Sequence, residues 1–387
     1  MRSFVIPTVM HHGPGAVAAL LQIVQELGLR RPMIVTDPGI ARAGLLDRIT
    51  EPLSAARQDY VVWSEVVSNP PIALVDRGAR VYEEEKCDGL IGLGGGSALD
   101  SAKAIGVVVT HSGSIRDYEW ANPQPIQRRI PPTIAIPTTA GTGSEVTLWA
   151  VITDPDRKAK FNVGGTAHIG SWVALIDPEL TRGLPARITA ATGMDALAHA
   201  VECYTCAYAQ PLSDAVALLA MEYIGQYLRI AYAQGANLEA RYKMSMAAML
   251  AGMAYGTESA GAAHAMSQSA GGVHDVPHGD LTARLLGPVM EYNYISEPQK
   301  FARIAQALGE DVRGLSTWQA AERAVSAVHQ LTAVLNIATL RDLGFDEKEI
   351  PFLAELAAKD PQTIGNPRDI DRLGYEKVWR RAFELGK

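Results

Sequence analysis

The feature that most constrains the fold is a change of character near residue 183. Up to Asp177-Pro178, short β-rich runs alternate with helical patterns: Pro32 to Thr36, Tyr60 to Val62, Gly89 to Leu93, Thr133 to Pro137 and Trp172 to Ile176 read as strands. Between two of them Ile72, Val75, Ala79 and Tyr82 recur at helical spacing after Asn69-Pro70-Pro71, which marks a crossover helix. Such alternation builds a parallel sheet. Leu148 to Thr153 and Lys160 to Val163 flank the turn residues Asp154-Pro155-Asp156 and read instead as a hairpin. From Ile188 onward Ala, Leu, Met and Glu dominate and strand signals all but stop. Thr181-Arg182-Gly183-Leu184-Pro185 interrupts both patterns, so the chain is expected to divide into an α/β domain, residues 1–183, and an all-helical domain, residues 184–387.

With 387 residues there is length for two cores, and 48% hydrophobic with 20% charged residues is a globular balance. The net charge of −7 is spread along the chain, so it offers no basic run for nucleic acid or for an anionic membrane. Proline, histidines and glycines break up the first dozen residues, and no export signal is expected there. Met244 to Tyr255 is too short to span a bilayer and follows Arg241 and Lys243, so it is expected as a buried helix. Three cysteines make no disulfide framework, and Cys203-Tyr204-Thr205-Cys206 has no second pair for a zinc ribbon. A cytoplasmic protein without a membrane partner is expected.

Two segments have the composition of nucleotide loops. Gly92-Leu93-Gly94-Gly95-Gly96-Ser97-Ala98-Leu99-Asp100-Ser101-Ala102-Lys103 follows a strand and opens a helix, where backbone N–H groups and the helix dipole can cradle a pyrophosphate. It is neither G-x-G-x-x-G nor a P-loop. Ile136-Pro137-Thr138-Thr139-Ala140-Gly141-Thr142-Gly143-Ser144-Glu145 also follows a strand and could line the other side of the nucleotide. Asp37 ends the first clear strand, where its carboxylate can either bind an adenosine ribose and repel a 2′-phosphate, favouring NAD over NADP, or begin the turn Asp37-Pro38-Gly39.

The second half holds the candidate metal ligands. Asp195 and His199 are four apart on an expected helix and share one face. They could be two ligands or a hydrogen-bonded pair. His264 lies in a small-residue helical segment, and His278, after Val276-Pro277 and before Gly279, marks a new helix. A glycine-rich loop is expected between them. Three imidazoles and a carboxylate would suit Fe(II) or Zn(II), but spacing does not show that the distant two histidines meet the first pair.

With these residues in view, the chain resembles the iron-containing (group III) alcohol dehydrogenase family along essentially its full length. The matching segments are Gly94-Gly95-Gly96-Ser97-x-x-Asp100-x-Ala102-Lys103, Pro137 to Glu145, Ala191-Thr192-Gly193-Met194-Asp195-Ala196-Leu197-x-His199, His264-Ala265-Met266 and Pro277-His278-Gly279. The resemblance implies a Rossmann-like N-terminal dinucleotide-binding domain, an all-α C-terminal domain as in the dehydroquinate synthase-like fold, and a metal in the cleft between them. It makes Asp195, His199, His264 and His278 the metal ligands, with Fe(II) expected and Zn(II) the alternative. It places Gly94, Gly95, Gly96, Ser97 and Asp100 in the pyrophosphate segment. Thr138, Thr139 and Thr142 fall by the cofactor's phosphate and ribose, Asp37 at the adenosine ribose and Lys160 near a ribose. The implied activity is NAD-dependent interconversion of a small alcohol and its aldehyde or ketone, by a homodimer or larger homo-oligomer.

Some positions depart from the family pattern. Four residues after His264, where a histidine of the proton relay is usual, this chain has Gln268. His274, expected in the joining loop where an aromatic residue is common, is either a substitute proton shuttle or a packed histidine. Asp280, Thr282, Arg284 and Gly287 also depart from the usual sequence. Trp149 and Tyr255 stand where the family has bulky pocket walls, and Gln268, His274 and Glu258 suggest a substrate with a second hydroxyl or another polar substituent. The competing readings are a dehydroquinate-synthase-like lyase and a catalytically idle NAD- or metal-binding protein.

Overall fold

In the computed structural model, residues 3–120, 124–256 and 259–385 are described; Glu258 lies outside them. The chain separates into two compact units, one of Val5–Thr139 with Gly143–Gly183, the other of Leu184–Lys387 together with Met1–Phe4 and Ala140–Thr142.

The first unit is built on a six-stranded sheet of β1 (Val9–His12), β2 (Met33–Val35), β3 (Val61–Trp63), β4 (Leu90–Gly94), β5 (Thr133–Pro137) and β8 (Val173–Ile176), in the order β1-β8-β5-β4-β2-β3. Every pairing is parallel. A parallel sheet needs crossovers that cover its faces. Helix Ile72–Glu84 supplies one after β3, and helix Gly96–His111 another after β4. Because successive side chains point to opposite faces, Met33 and Val35 join a core with Trp63, Val75 and Ile105, while Ile34 joins one with Ile91, Ile134 and Leu175. A separate antiparallel pair, β6 (Trp149–Asp154) and β7 (Ala159–Gly164), is the expected hairpin.

One strand was not anticipated. Val9-Met10-His11-His12 is mostly exposed and lacks alternation, and it becomes a strand by pairing with Val173–Ile176 at the sheet edge.

The second unit is all-helical among its described residues. Helix Ala186–Thr205 is buried along nearly its whole length, and Leu238–Tyr255 contains the apolar run expected to be a core helix. Helices Ala262–His274, His278–Asn293, Ile350–Lys359 and Arg372–Glu384 enclose a core of Met266, Leu285, Leu353, Tyr375 and Trp379. The glycine-rich loop expected between His264 and His278 is instead mostly helix. Ala270 and Gly271 are buried within Ala262–His274, where packing outweighs glycine's weak helix propensity. His274 is therefore the last residue of a helix rather than part of a loop. Among the described residues no helix is long and apolar enough to cross a membrane.

Candidate metal centre and cofactor cradle

The metal-type residues come from three helices of the second unit. Asp195 and His199 lie one turn apart on Ala186–Thr205, His264 is in the first turn of Ala262–His274, and His278 opens His278–Asn293. Ligand atoms of buried Asp195, His199 and His264 all lie within 4.8 Å of one another. Histidine nitrogens stand 3.7 Å (His278), 3.9 Å (His264) and 4.0 Å (His199) from Asp195 carboxylate oxygens. These separations are too long for hydrogen bonds and of the size expected between ligands sharing one ion with bonds of about 2.0–2.2 Å. The buried His199 Nδ1 and His264 Nε2 make no hydrogen bond among the described residues. Leaving such nitrogens without partners is costly, and a divalent ion with N and O ligands fits the donor set.

Burial, with the nearby His264 charge, holds His199 well below the usual imidazole range and keeps it a neutral donor of an electron pair. Burial also acts to lower His264, but the carboxylates of Glu202, Asp195 and Asp360 together outweigh it and the net shift is upward. Glu202 is the functional residue that sequence reasoning missed. Its Oε2 lies 2.5 Å from His264 Nδ1 and also accepts from His264 N at 3.3 Å, while its Oε1 accepts from Ala263 N at 2.6 Å. One carboxylate thus caps a helix N-terminus and aims an imidazole, turning Nε2 toward the cluster. A Cβ added at Gly261 would lie 2.9 Å from Glu202 Oε1, so that glycine permits the approach. The available signal was position: Glu202 follows His199 by three and Asp195 by seven on one helix face.

Tyr255 flanks the cluster, its ring centroid 4.9 Å from that of His199 and 6.0 Å from that of His264. Gln268 is buried one turn beyond His264, and its Oε1 accepts from Gln362 Nε2 at 2.9 Å. The backbone N–H of Gln362 donates to Asp360, a carboxyl that burial pushes up to about 7. His274 is elsewhere. It lies ten residues along the helix from His264, about 15 Å at 1.5 Å per residue; its Nε2 is 2.9 Å from Glu349 and its ring packs on Phe345. This is the arrangement of a packed histidine. Of the other departing residues, Asp280 pairs with Arg187, Thr282 Oγ1 donates to His278 O at 2.9 Å and lies 3.4 Å from His278 Nε2, and Arg284 donates to the Ile337 and Ala338 carbonyls.

The cofactor-type residues, apart from Thr142, belong to the first unit. Gly94 closes β4 with φ 147°, and a Cβ there would come 2.8 Å from that of Ala98. Gly95 precedes the helix holding Gly96, Ser97 and Asp100 without a capping side chain, so first-turn N–H groups remain available to an anion. Thr138 N donates to Gly94 O at 2.9 Å, and a Cβ on Gly95 would meet Thr139 at 3.4 Å, so the two loops lie against each other. They leave the carboxyl ends of neighbouring strands β4 and β5, where dinucleotides bind in such sheets. Asp37 follows β2; its Oδ1 accepts from Gly39 N and Ile40 N, so the turn reading describes that oxygen, while Oδ2 lies beside Gly94. Lys160 sits on β7 opposite Thr153, and Trp149 begins β6 with its ring edge-on to Trp120. Asp100 does not face open space, since its two carboxylate oxygens accept from Ser144 Oγ and Val151 N.

A parallel sheet with glycine- and threonine-rich loops at its strand ends, an all-helical unit and a buried Asp/His cluster are the parts of a metal-dependent, nucleotide-binding enzyme. Residues 7–178 match the family model for iron-containing alcohol dehydrogenase, and residues 189–383 match that for the Fe-containing alcohol dehydrogenase family, C-terminal. The chain is 51% identical over 384 residues to choline dehydrogenase of Bacillus subtilis (strain 168), covering 99% of this chain and 95% of that one. It is 39% identical over 369 residues to the NAD-dependent methanol dehydrogenase of Bacillus methanolicus, covering 95% and 96%. A crystal structure of 1,3-propanediol oxidoreductase superposes with a TM-score of 0.95 at 40% identity, over 99% of this chain and 100% of that one. The chain belongs to the iron-containing alcohol dehydrogenase family. It is an oxidoreductase acting on CH–OH groups, as the sequence resemblance implied.

Proposed function

We propose that this protein oxidises a small primary alcohol bearing a polar or cationic substituent, with NAD as acceptor and Fe(II), or alternatively Zn(II), held by Asp195, His199, His264 and His278. The observation that carries the reading is the buried cluster of Asp195, His199 and His264, with His278 at its edge. A metal held by these four residues would supply Lewis-acid polarisation of the substrate oxygen, and NAD in the cradle would supply the hydride acceptor. Glu202 keeps His264 oriented, and Tyr255 limits the bulk of substrate beside the cluster. Gly94 to Ser97, Thr138, Thr139, Thr142 and Lys160 are the proposed cofactor contacts. Asp37 Oδ2, beside Gly94, favours a free ribose hydroxyl over a 2′-phosphate.

Choline-type amino alcohols are the first substrates to test. The similarity to a choline dehydrogenase supports them, and so does the local chemistry: an amide at Gln268 cannot become cationic as an imidazole can, and the Tyr255 ring beside the cluster suits a cation. With an amide at 268 and His274 paired with Glu349, the hydroxyl proton would pass to solvent water rather than to an imidazole. A cytoplasmic homo-oligomer belongs to the same proposal. Exposed Leu212, Leu219 and Ile230 form one stripe along helix Pro211–Ala233, which supports self-association, and light scattering measures it.

The test is an alcohol and carbonyl panel followed by NADH absorbance, with Fe(II), Zn(II) and chelator in parallel. Activity on choline-type alcohols above simple alkanols, abolished by chelator, is expected. Chelator-insensitive turnover overturns the metal reading, and equal kcat/KM for n-alkanols and their polar analogues overturns the substrate reading.

A further inference from the structure

Two charged residues on the helix after the glycine turn face the second loop. Lys103 is wholly buried; its Nζ donates to Ser144 O at 2.9 Å, to Thr147 Oγ1 at 3.2 Å and to Trp149 O. Asp100 stands 3.3 Å from that ammonium, accepting from Ser144 Oγ through Oδ1 at 2.5 Å and from Val151 N through Oδ2 at 3.0 Å. A buried cation without compensation is expensive, so the enclosure of Lys103 by three oxygens from residues 144–149 ties that stretch to the helix. The start of the same loop is tied as well, by Thr138 N on Gly94 O. Burial acts to lower the Lys103 pKa, against the raising influence of Asp100 and Glu145. The Lys103 side chain has no exposed surface and that of Asp100 keeps 14%.

We propose that Asp100 and Lys103 are positioning residues, a clamp that holds the Ser144–Val151 end of the second loop against the helix after the glycine turn, so that Thr138 and Thr139 meet the cofactor from a loop tied at both ends. The proposal rests on the NAD reading above and replaces the expectation that Asp100 touches the cofactor. Preorganisation of this kind acts on binding, because an unclamped loop must be ordered when the nucleotide arrives. It draws on residues of the first unit only, so it is independent of the metal cluster.

The test uses the full chain, stripped of metal, with NADH as the probe. In fluorescence titrations Lys103→Met and Asp100→Asn should raise the Kd for NADH by about tenfold, and Ser144→Ala, which deletes a single hydroxyl, by about threefold. In the metal-loaded enzyme KM for NAD should rise by a similar factor while kcat changes less. Hydrogen exchange over residues 143–151 should quicken, with residues 184–385 unaffected. Folded variants that bind NADH like wild type, with unchanged exchange in that segment, overturn the clamp. If Lys103→Met does not fold, Ser144→Ala and Asp100→Asn decide by the same readings. Failure of the wild type itself to bind NADH overturns the cofactor reading and the clamp together.

Discussion

Glu202 joins the helix that carries Asp195 and His199 to the helix that carries His264. Because its carboxylate accepts from the His264 ring and from two backbone N–H groups, Glu202→Gln should weaken metal affinity by about 10–100-fold. Competition with a chromophoric chelator measures this, and unchanged affinity would deny Glu202 its aiming role. At Gln268, the change to His adds an imidazole one turn from His264. A new ionisation near pH 6–7 should then appear in the kcat/KM profile. An unaltered profile would place residue 268 outside the proton path. At this scale the sequence is legible where partners are local. Asp195 and His199 can be paired by their spacing, whereas the pairing of Glu202 with residues about sixty positions away depends on helix docking. For the same reason spacing leaves His274 open between shuttle and packing, and only the fold brings it against Glu349 and Phe345.

Helix His278–Asn293 ends in a charged network. Glu291 accepts from Arg381 and lies 2.7 Å from His329. Burial pushes its carboxyl up, but His329 and Arg381 prevail and bring it down from 4.5 to about 2. A depressed folded pKa means that the stabilisation is fully present above pH 4.5 and is lost as pH falls through about 2. Glu291→Gln should therefore cost about 1–3 kcal/mol at neutral pH. Its urea midpoint should also fall less steeply than wild type between pH 4.5 and about 2. Parallel pH curves for the two proteins would exclude the ion network as the cause. Elements with strong periodicity, such as helix Ile72–Glu84 and strand Thr133–Pro137, were readable in advance. The segment Gly271-Gly272 was not, since glycine signals a loop locally and only packing against neighbouring helices makes it helical.

At the scale of the molecule, cofactor and metal residues fall mainly in different compact units, Thr142 excepted. Asp195→Ala should lose metal and turnover while still binding NADH, measured by metal analysis and fluorescence titration. Loss of NADH affinity with the metal would show the two sites to be inseparable. Metal should also raise the melting temperature of wild type by mass action and leave that of Asp195→Ala unchanged. From its sequence alone the chain determined an α/β half and a helical half, the two nucleotide-type loops at strand ends and the Asp195–His199 pair. Each depends on periodicity or spacing within a few turns of chain. Tertiary structure alone decided that Val9–His12 is an edge strand and that Glu202 aims His264. It also decided that Asp100 accepts from Ser144 and Val151. These contacts join residues far apart in the chain, and their energies come from burial and hydrogen-bond partners that exist only once the elements have packed.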